Sequence, residues 1–199
     1  MTKIKLCGLT EEKHIRWANE AGCDYIGFVF APSRRRVSFE KEKELRKLLS
    51  PSILPVGVFV DAPIGEILSL CRADVISLVQ LHGNEEEGYI QELRKQCQLP
   101  IIRAIDATDK EALRLGLDSS ADFLLLDAKK GGSGVSFDWE ITKTCTRPYF
   151  LAGGLHPDNL KEAVTKTRAY ALDLSSGLEE AGEKTRSRML EATRIAHAF

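Results

Sequence analysis

The stretch Leu151-Ala152-Gly153-Gly154-Leu155 is a short apolar run that stops at two glycines, and Leu172-Asp173-Leu174-Ser175-Ser176-Gly177 has the same design. Buried strands are predicted at residues 149–152 and 170–174, directly before these small residues. Because glycine has no Cβ, the backbone N–H groups after each strand can approach a ligand closely. Two such loops together predict a bowl of N–H donors that suits a phosphate group.

Further strands are predicted upstream of this pair, and a helical segment follows each of them. They are residues 4–6, 24–30, 55–61, 75–81, 101–105 and 122–126. Short apolar strands that alternate with helices are typical of the α/β class with a parallel sheet. Eight units favour a closed (β/α)8 TIM barrel over an open doubly wound sheet, and the phosphate site of such barrels follows strands seven and eight. With about 25 residues per unit, we expect one catalytic domain over residues 1–199.

Capping residues predict where several helices begin and end. Thr10 is expected to cap the first helix and Gly22 to end it, while Thr108 is expected to cap the fifth. A helix over residues 184–197 is expected after the eighth strand, where its N-terminus would supply a field that favours a phosphate dianion. The segment Gly131-Gly132-Ser133-Gly134 is predicted to be a flexible loop.

The composition excludes several classes of partner. A net charge of −1 over 199 residues gives no field that would attract nucleic acid or an anionic membrane. No apolar run approaches the length of a membrane span, and no apolar signal region precedes the first strand. The five cysteines are scattered, which predicts a reducing cytoplasm, no disulfides and no structural zinc. We therefore expect a cytoplasmic protein that acts on a small molecule.

Candidate functional residues are those that end the predicted strands, because TIM-barrel active sites lie at the C-terminal ends of the strands. They are Cys7, Arg34 to Arg36, Asp61, Gln80, His82, Arg103, Asp127, Gly153, Gly154, Asp173 and Ser175 to Gly177. They contain neither the paired carboxylates of a glycosidase nor a metal-ligand cluster, and no strand ends in a lysine suited to a Schiff base. These residues favour proton transfer on a phosphorylated molecule, without a metal or other cofactor.

Short motifs lie at the strand ends from the first strand to the last. They are Lys5-Leu6-Cys7-Gly8-Leu9-Thr10, Ser33-Arg34-Arg35-Arg36-Val37-Ser38, Val56-Gly57-Val58-Phe59-Val60, Gln80-Leu81-His82-Gly83, Leu126-Asp127, the loop at 131–134 with Phe137-Asp138-Trp139, and the two stretches quoted first. In this order they resemble the phosphoribosylanthranilate isomerase family. The resemblance implies a TIM barrel that performs the Amadori rearrangement of N-(5-phosphoribosyl)anthranilate in tryptophan biosynthesis.

The resemblance also implies roles for individual residues. The family uses an Asp as general acid on the ring oxygen of the sugar and a Cys as general base on its C2 proton, which by motif are Asp127 and Cys7. Alignment of the basic loop selects Arg35 for the anthranilate carboxylate. Gln80, His82 and Asp173 are further candidate contacts to the substrate, although Gln80 and His82 could also be satisfied polar groups at the barrel rim. The candidate contacts to the phosphate are Gly153, Gly154, Ser175, Ser176 and Gly177. The phosphorylated substrate is the expected partner, and a monomer is expected rather than a dimer.

Several of these residues also have a purely structural interpretation. Cys7 could be a core thiol, and Asp127 could cap the glycine-rich loop. Arg103 could be a pocket cation or part of a barrel ion pair, and Asp173 could hold a sugar hydroxyl or only fix the phosphate loop. Lys5 shares a strand face with Cys7, which by itself assigns it no role.

Two other functions stay open at this point. One is a barrel resembling indole-3-glycerol-phosphate synthase, a ring-closing enzyme that calls for a catalytic lysine at a strand end and a longer N-terminal extension. The other is a non-catalytic barrel that keeps only the phosphate bowl. A phosphate-binding function requires neither Cys7 nor Asp127, so the presence of both favours the isomerase.

Overall fold

The computed structural model describes residues 1–128 and 137–199, and the predicted loop Gly131-Gly132-Ser133-Gly134 lies outside them. The parallel strands are β1 Lys3–Cys7, β2 Tyr25–Val29, β3 Leu54–Phe59, β4 Leu78–Leu81, β5 Ile101–Asp106, β6 Phe123–Asp127, β7 Tyr149–Leu151 and β8 Ala171–Leu174. They form a closed barrel in chain order. β1 pairs with β8 in a register that sets Lys5 opposite Asp173, which closes the barrel. The predicted TIM barrel is confirmed.

Apolar side chains fill the barrel and the layer between strands and helices. One buried cluster takes residues from β2 to β8, among them Tyr25, Val56, Ile102 and Phe150, and occupies the barrel interior. Larger clusters join the outer faces of the strands to the helices. Burial on both sides explains why the strands read as continuous apolar runs rather than as alternating ones.

Helices cover the outside of the barrel. They are α1 Glu12–Ala21, α2 Phe39–Leu48, α3 Ile64–Arg72, α4 Glu87–Arg94, α5 Lys110–Leu117, α6 Pro157–Thr167 and α7 Arg186–His197, with short 3-10 helices at Trp139–Thr144 and Ser176–Leu178. Among the described residues, no helix combines the length and apolar character that crossing a membrane requires.

Two of the predicted N-caps are wrong by one residue, for reasons visible in the hydrogen bonds. Glu11, not Thr10, caps α1, because the His14 ring accepts the backbone N–H of Glu11 at 3.3 Å. Asp109, not Thr108, caps α5: its carboxylate accepts the N–H of Glu111 at 2.9 Å, while the Thr108 hydroxyl donates to Asp106 instead. A carboxylate that can reach the first free N–H groups is as good a cap as a hydroxyl.

The predicted start of the last helix is also wrong. A hairpin of β9 Glu179–Glu180 and β10 Glu183–Lys184 stands between β8 and α7, which begins only at Arg186. Ala181 and Gly182 form its turn with φ values of 50° and 86°. The hairpin brings charged side chains back to the rim of the barrel, which the sequence interpretation did not anticipate.

Candidate active site

A cavity opens at the C-terminal ends of the strands. It is lined by Cys7, Val29, Ala31, Pro32, Ser33, Arg35, Val58, Val60, Gln80, His82, Asp127, Ala152, Gly153, Gly154, Leu155, Asp173, Ser175 and Ser176. The structure therefore brings together every residue to which the sequence analysis gave a role in catalysis or binding, except Gly177. Side chains from strands far apart in sequence meet here because all parallel strands end on one rim.

Cys7 ends β1 and faces the cavity floor. Gly27 on the neighbouring strand leaves room for it, since a Cβ there would lie 2.5 Å from the Cys7 sulfur. Burial raises the pKa of the Cys7 thiol, and the nearby Lys5 ammonium opposes this only in part. In the free protein the group is thus a thiol held beside a cation.

Lys5 is fully buried, and the sequence interpretation gave it no role. Its Nζ lies 2.7 Å from Asp173 Oδ2, 2.7 Å from Gln80 Oε1 and 3.4 Å from Cys7 Sγ. Burial disfavours the Lys5 charge, but the Asp173 carboxylate and Cys7 outweigh that effect and raise its pKa. Lysine is rarely buried unless it is paired, so a lysine inside an apolar strand was the available signal.

Asp127 ends β6 with its two carboxyl oxygens in different surroundings. The backbone N–H of Ala128 donates to Oδ1 at 2.8 Å. Oδ2 lies 3.6 Å from Nε2 of His82, which follows β4. Burial, with a further contribution from the charge of Asp173, raises the pKa of Asp127 to about 6. A carboxyl with that pKa retains a proton in part of the molecules near neutral pH.

Gln80 and His82 connect these groups. The Gln80 amide nitrogen lies 2.8 Å from His82 Nδ1, while its oxygen contacts Lys5. Burial and the Lys5 charge lower the pKa of His82, so the ring is neutral. Hydrogen-bond contacts therefore run from the Cys7 thiol through Lys5 and Gln80 to His82, whose ring faces the Asp127 carboxyl at 3.6 Å.

Arg35 is the member of the basic loop that turns into the cavity, while Arg34 and Arg36 are exposed. Its Nε donates to Glu179 Oε1 at 2.8 Å. Its Nη2 is buried and has no hydrogen-bond partner in the described part of the chain. Such a donor is available to an anionic ligand, because the rest of the guanidinium is already fixed.

Glu179 forms ion pairs with three cationic side chains, and the sequence analysis did not predict a role for it. Arg34 and Arg35 both pair with it, and Lys184 Nζ lies 3.0 Å from its Oε1. Burial alone would raise the pKa of Glu179, but the hydrogen bonds from Arg35 and Lys184 lower it. These contacts join the β2–α2 loop to the hairpin before α7.

The loops after β7 and β8 form the predicted bowl. Gly153 and Gly154 have φ values of 83° and 63°, a backbone that side chains with a Cβ rarely adopt. Ser175 donates its hydroxyl to the Cys7 carbonyl at 3.3 Å, and Ser176 lines the cavity. Gly177 lies behind this surface, where a Cβ would overlap the Leu155 carbonyl.

The helix that follows β8 at the bowl is shorter than expected. The one-turn 3-10 helix Ser176–Leu178 follows β8 directly, and the long helix starts only after the hairpin. Individual backbone N–H groups, rather than a long helix N-terminus, are therefore the donors that the bowl offers.

The other strand-end candidates lie outside the cavity. Arg103 forms an ion pair with Glu87 at 3.4 Å. Of the two interpretations of Arg103, a pocket cation or part of a barrel ion pair, the structure therefore supports the ion pair. Asp61 accepts the N–H of Asn84 at 2.7 Å and fixes a loop. Within residues 1–128 and 137–199, no cluster of His, Cys, Asp and Glu has the form of a metal site.

Known proteins resemble this chain over its full length. The family model for N-(5'-phosphoribosyl)anthranilate (PRA) isomerase matches residues 4–193. The N-(5'-phosphoribosyl)anthranilate isomerase of Endomicrobium trichonymphae is 43% identical over 203 residues, which covers 100% of both chains.

Two solved structures superpose closely. Monomers of the dimeric phosphoribosylanthranilate isomerase from Thermotoga maritima give a TM-score of 0.88 at 29% identity, with 100% of both chains covered. A phosphoribosylanthranilate isomerase in complex with reduced 1-(o-carboxyphenylamino)-1-deoxyribulose 5-phosphate gives the same TM-score, identity and coverage.

Proposed function

This chain belongs to the N-(5'-phosphoribosyl)anthranilate isomerase family, and we propose that Asp127 is its general acid and Cys7 its general base. The protein is an isomerase of tryptophan biosynthesis. Its family membership decides against a ring-closing synthase and against a barrel that only binds phosphate. The observation that supports the two roles is that a carboxyl with a pKa of about 6 and a thiol beside a fixed cation face one cavity.

The reaction is an Amadori rearrangement of an aminoaldose to an aminoketose. Asp127 donates a proton to the ring oxygen of the ribose, and the ring opens to a protonated Schiff base. The raised pKa suits this step, because an acid works best when its pKa lies near the working pH. The carboxylate left behind accepts a hydrogen bond from the Ala128 N–H, which stabilises it.

Cys7 then takes the proton from C2 of the sugar, and the resulting enolamine tautomerises to the ketone. A thiol must first lose its own proton, and burial works against that loss. The Lys5 ammonium, 3.4 Å from the sulfur, compensates by stabilising the thiolate. Because the pKa of the thiol lies above that of Asp127, the fraction of enzyme with a protonated acid and an ionised base rises with pH up to about 6 and is constant as Asp127 ionises. We therefore expect the rate to rise with pH up to about 6, to level off there, and to fall only above the pKa of the Cys7 thiol.

Three contacts orient the substrate. Arg35 Nη2 donates to the anthranilate carboxylate, which supports specificity for an aromatic acid. Asp173 Oδ1, buried and without a partner among the described residues, accepts a sugar hydroxyl, with Gln80 and His82 beside it. The N–H groups of the two loops after β7 and β8 hold the phosphate, with Gly153, Gly154, Ser175 and Ser176 at the surface and Gly177 packed behind them.

The remaining expectations concern the whole protein. We take residues 1–199 as one catalytic domain that works as a monomer in the cytoplasm. Sedimentation of the purified protein at concentrations around its assay range tests the monomer. A dimer there would correct that expectation without changing the roles of the cavity residues.

A turnover assay on freshly prepared substrate tests the acid and base. Cys7→Ser and Asp127→Asn should each lower kcat by at least about 100-fold, because each removes a proton-transfer group, while substrate affinity changes little. Cys145→Ser and Asp118→Asn are matched controls, since both residues lie outside the cavity. Near-normal kcat in either cavity variant would remove that residue from the mechanism.

A further inference from the structure

We propose that Lys5 is a positioning residue that sets the state of both reacting groups: the Cys7 thiol directly, and the Asp127 carboxyl through Gln80 and His82. The inference rests on the acid and base roles proposed above. A lysine ammonium has three N–H donors and no acceptor. Three acceptor atoms lie around Lys5 Nζ, on Asp173, Gln80 and Cys7, so each donor has one partner.

The first consequence concerns the orientation of the Gln80 amide. Because Lys5 can only donate, the atom 2.7 Å from its Nζ must be the Gln80 oxygen. The reverse orientation would place the amide NH2 against an ammonium. The Gln80 NH2 therefore points to His82, 2.8 Å from Nδ1.

The second consequence concerns the proton on His82. An NH2 group can only donate, so Nδ1 of His82 must accept. A neutral imidazole then carries its single proton on Nε2. That N–H faces Asp127 Oδ2 at 3.6 Å, beyond hydrogen-bond distance in the free protein. Lys5 thus determines the tautomer of His82 through Gln80, without contacting the histidine itself.

The tautomer matters because charge appears on Asp127 when it gives up its proton. The charged groups near Asp127 are Asp173 on β8, Lys5 on β1 and Asp106 on β5. Of its two oxygens, Oδ1 already has the Ala128 N–H. The His82 Nε2–H provides a donor for Oδ2, whereas the other tautomer would present a lone pair to the new negative charge. Such contacts commonly shorten when the substrate closes the site.

The third consequence concerns the thiol. The charged groups that face Cys7 are Lys5, Asp173 and Lys184, and the carboxylate acts against the two cations. Lys5 is the one in hydrogen-bond distance of the sulfur. It holds its place because Asp173 and Gln80 fix its other two donors. A cation that cannot move away is an effective partner for a thiolate.

Alkylation of Cys7 by iodoacetamide, followed by mass spectrometry against pH, tests the effect on the thiol without using turnover. Asp173→Asn removes the carboxylate and keeps the cation, so Cys7 should be alkylated at least about 10-fold faster than in the parent at a pH below its pKa. The double variant Lys5→Met with Asp173→Asn removes the pair together, which avoids an unpaired buried charge. It should be alkylated at least about 10-fold more slowly than Asp173→Asn. Equal rates in the two variants would overturn the proposal for the thiol.

The isosteric change Gln80→Glu tests the tautomer and leaves Lys5 paired. A carboxylate accepts from Lys5 with one oxygen and from His82 with the other, so Nδ1 of His82 should become protonated. The nitrogen shifts of His82, measured by NMR on labelled protein, report this directly. Gln98→Glu, an exposed site, makes the same chemical change as a control. A parent protein with its proton on Nδ1, or a Gln80→Glu variant with an unchanged ring, would overturn the assignment, whatever kcat Asp127→Asn shows.

Discussion

The cavity has two halves that are built differently. The half at the strand ends contains Cys7 and Asp127, with Lys5 buried next to Cys7. All three residues belong to paired strands of the barrel. The half on the loops contains Arg35 and the glycines after β7, which depend on contacts between loops. Strand ends hold side chains in fixed positions, which proton transfer requires. Loops are more mobile and can open to admit a charged ligand. The comparison indicates that the proton transfers depend on the strand ends, and that the two charged ends of the substrate bind to the loops.

The two halves also differ in which charge lies at the centre of the contacts, a cation at the strand ends and a carboxylate on the loops. At the strand ends the buried Lys5 ammonium donates to a carboxylate, an amide and a thiol. On the loops one carboxylate, Glu179, serves three cations at the rim. Each group contains a buried ion pair, Lys5 with Asp173 in the first and Lys184 with Glu179 in the second, and the loss of one partner leaves the other charge uncompensated. If this division holds, changes in the strand half should act on kcat, and changes in the loop half on KM.

The largest effect on the loop side is expected for Gly154→Val. A branched side chain at φ 63° strains the backbone and fills the place where the phosphate must approach. KM for the phosphorylated substrate should rise by at least about 100-fold, since several charged hydrogen bonds are lost together. Folding should be largely retained, because the loop lies at the surface.

Competition by inorganic phosphate or sulfate separates phosphate binding from a general disturbance of this loop. Either anion should inhibit the parent protein competitively and fail to inhibit the Gly154→Val variant. Inhibition that persists unchanged in the variant would move the phosphate site to another loop of the barrel.

The next effect is expected for Arg35→Met. Losing a charged hydrogen-bond donor should weaken binding of the anthranilate end by roughly 1.5–3 kcal/mol, seen as a higher KM with little change in kcat. Arg36→Met is the matched control, because Arg36 is exposed and lies outside the cavity. A larger effect at Arg36 than at Arg35 would show that the register of the basic loop is wrong.

The buried Asp127 carboxyl of the strand half should make the free energy of unfolding depend on pH. Asp127 has a pKa of about 6 in the folded protein, against about 3.9 when unfolded. Stability linked to its proton is therefore complete below about pH 4 and is lost as pH rises through 6. Asp127→Asn never ionises, so it should be more stable than the parent by on the order of 3 kcal/mol at pH 8. At pH 4 the two should differ little.

Urea unfolding of both proteins at pH 4 and pH 8 measures this difference. Asp118→Asn serves as the control for a carboxyl at the surface, and its stability should follow that of the parent at both values. The free energies of unfolding of the parent and Asp127→Asn could instead differ by the same amount at pH 4 as at pH 8. Burial of the carboxyl charge would then not be the origin of the difference.

The two halves were also unequally predictable from the sequence. The strand ends follow from apolar runs that stop at polar or small residues, and parallel pairing then brings Cys7, Gln80 and Asp127 to one rim. Lys5 was missed as a functional residue because its partners, Asp173 and Gln80, lie on other strands, and nothing local records a long-range pair. Glu179 and Lys184 were missed because their segment was assigned to a loop and to the start of the last helix.

The smallest effect, and the one that most sharpens the comparison, is expected for Glu179→Gln. Glu179 fixes Nε of Arg35 and leaves Nη2 for the substrate. An amide still accepts one hydrogen bond but loses the charge that holds three cations together. Arg35 must then be ordered at the moment of binding, which costs about 1 kcal/mol of side-chain entropy.

KM should therefore rise by about 5-fold with kcat unchanged, since 1.4 kcal/mol corresponds to a factor of 10. Glu180→Gln is the matched control on the same hairpin, where Glu180 is exposed and pairs with Arg188. The opposite sign is also informative: if KM fell in Glu179→Gln, the carboxylate would be a competitor of the substrate for Arg35 rather than its support. A fall in kcat instead of a change in KM would break the division itself, because a loop residue would then control the chemistry at the strand ends.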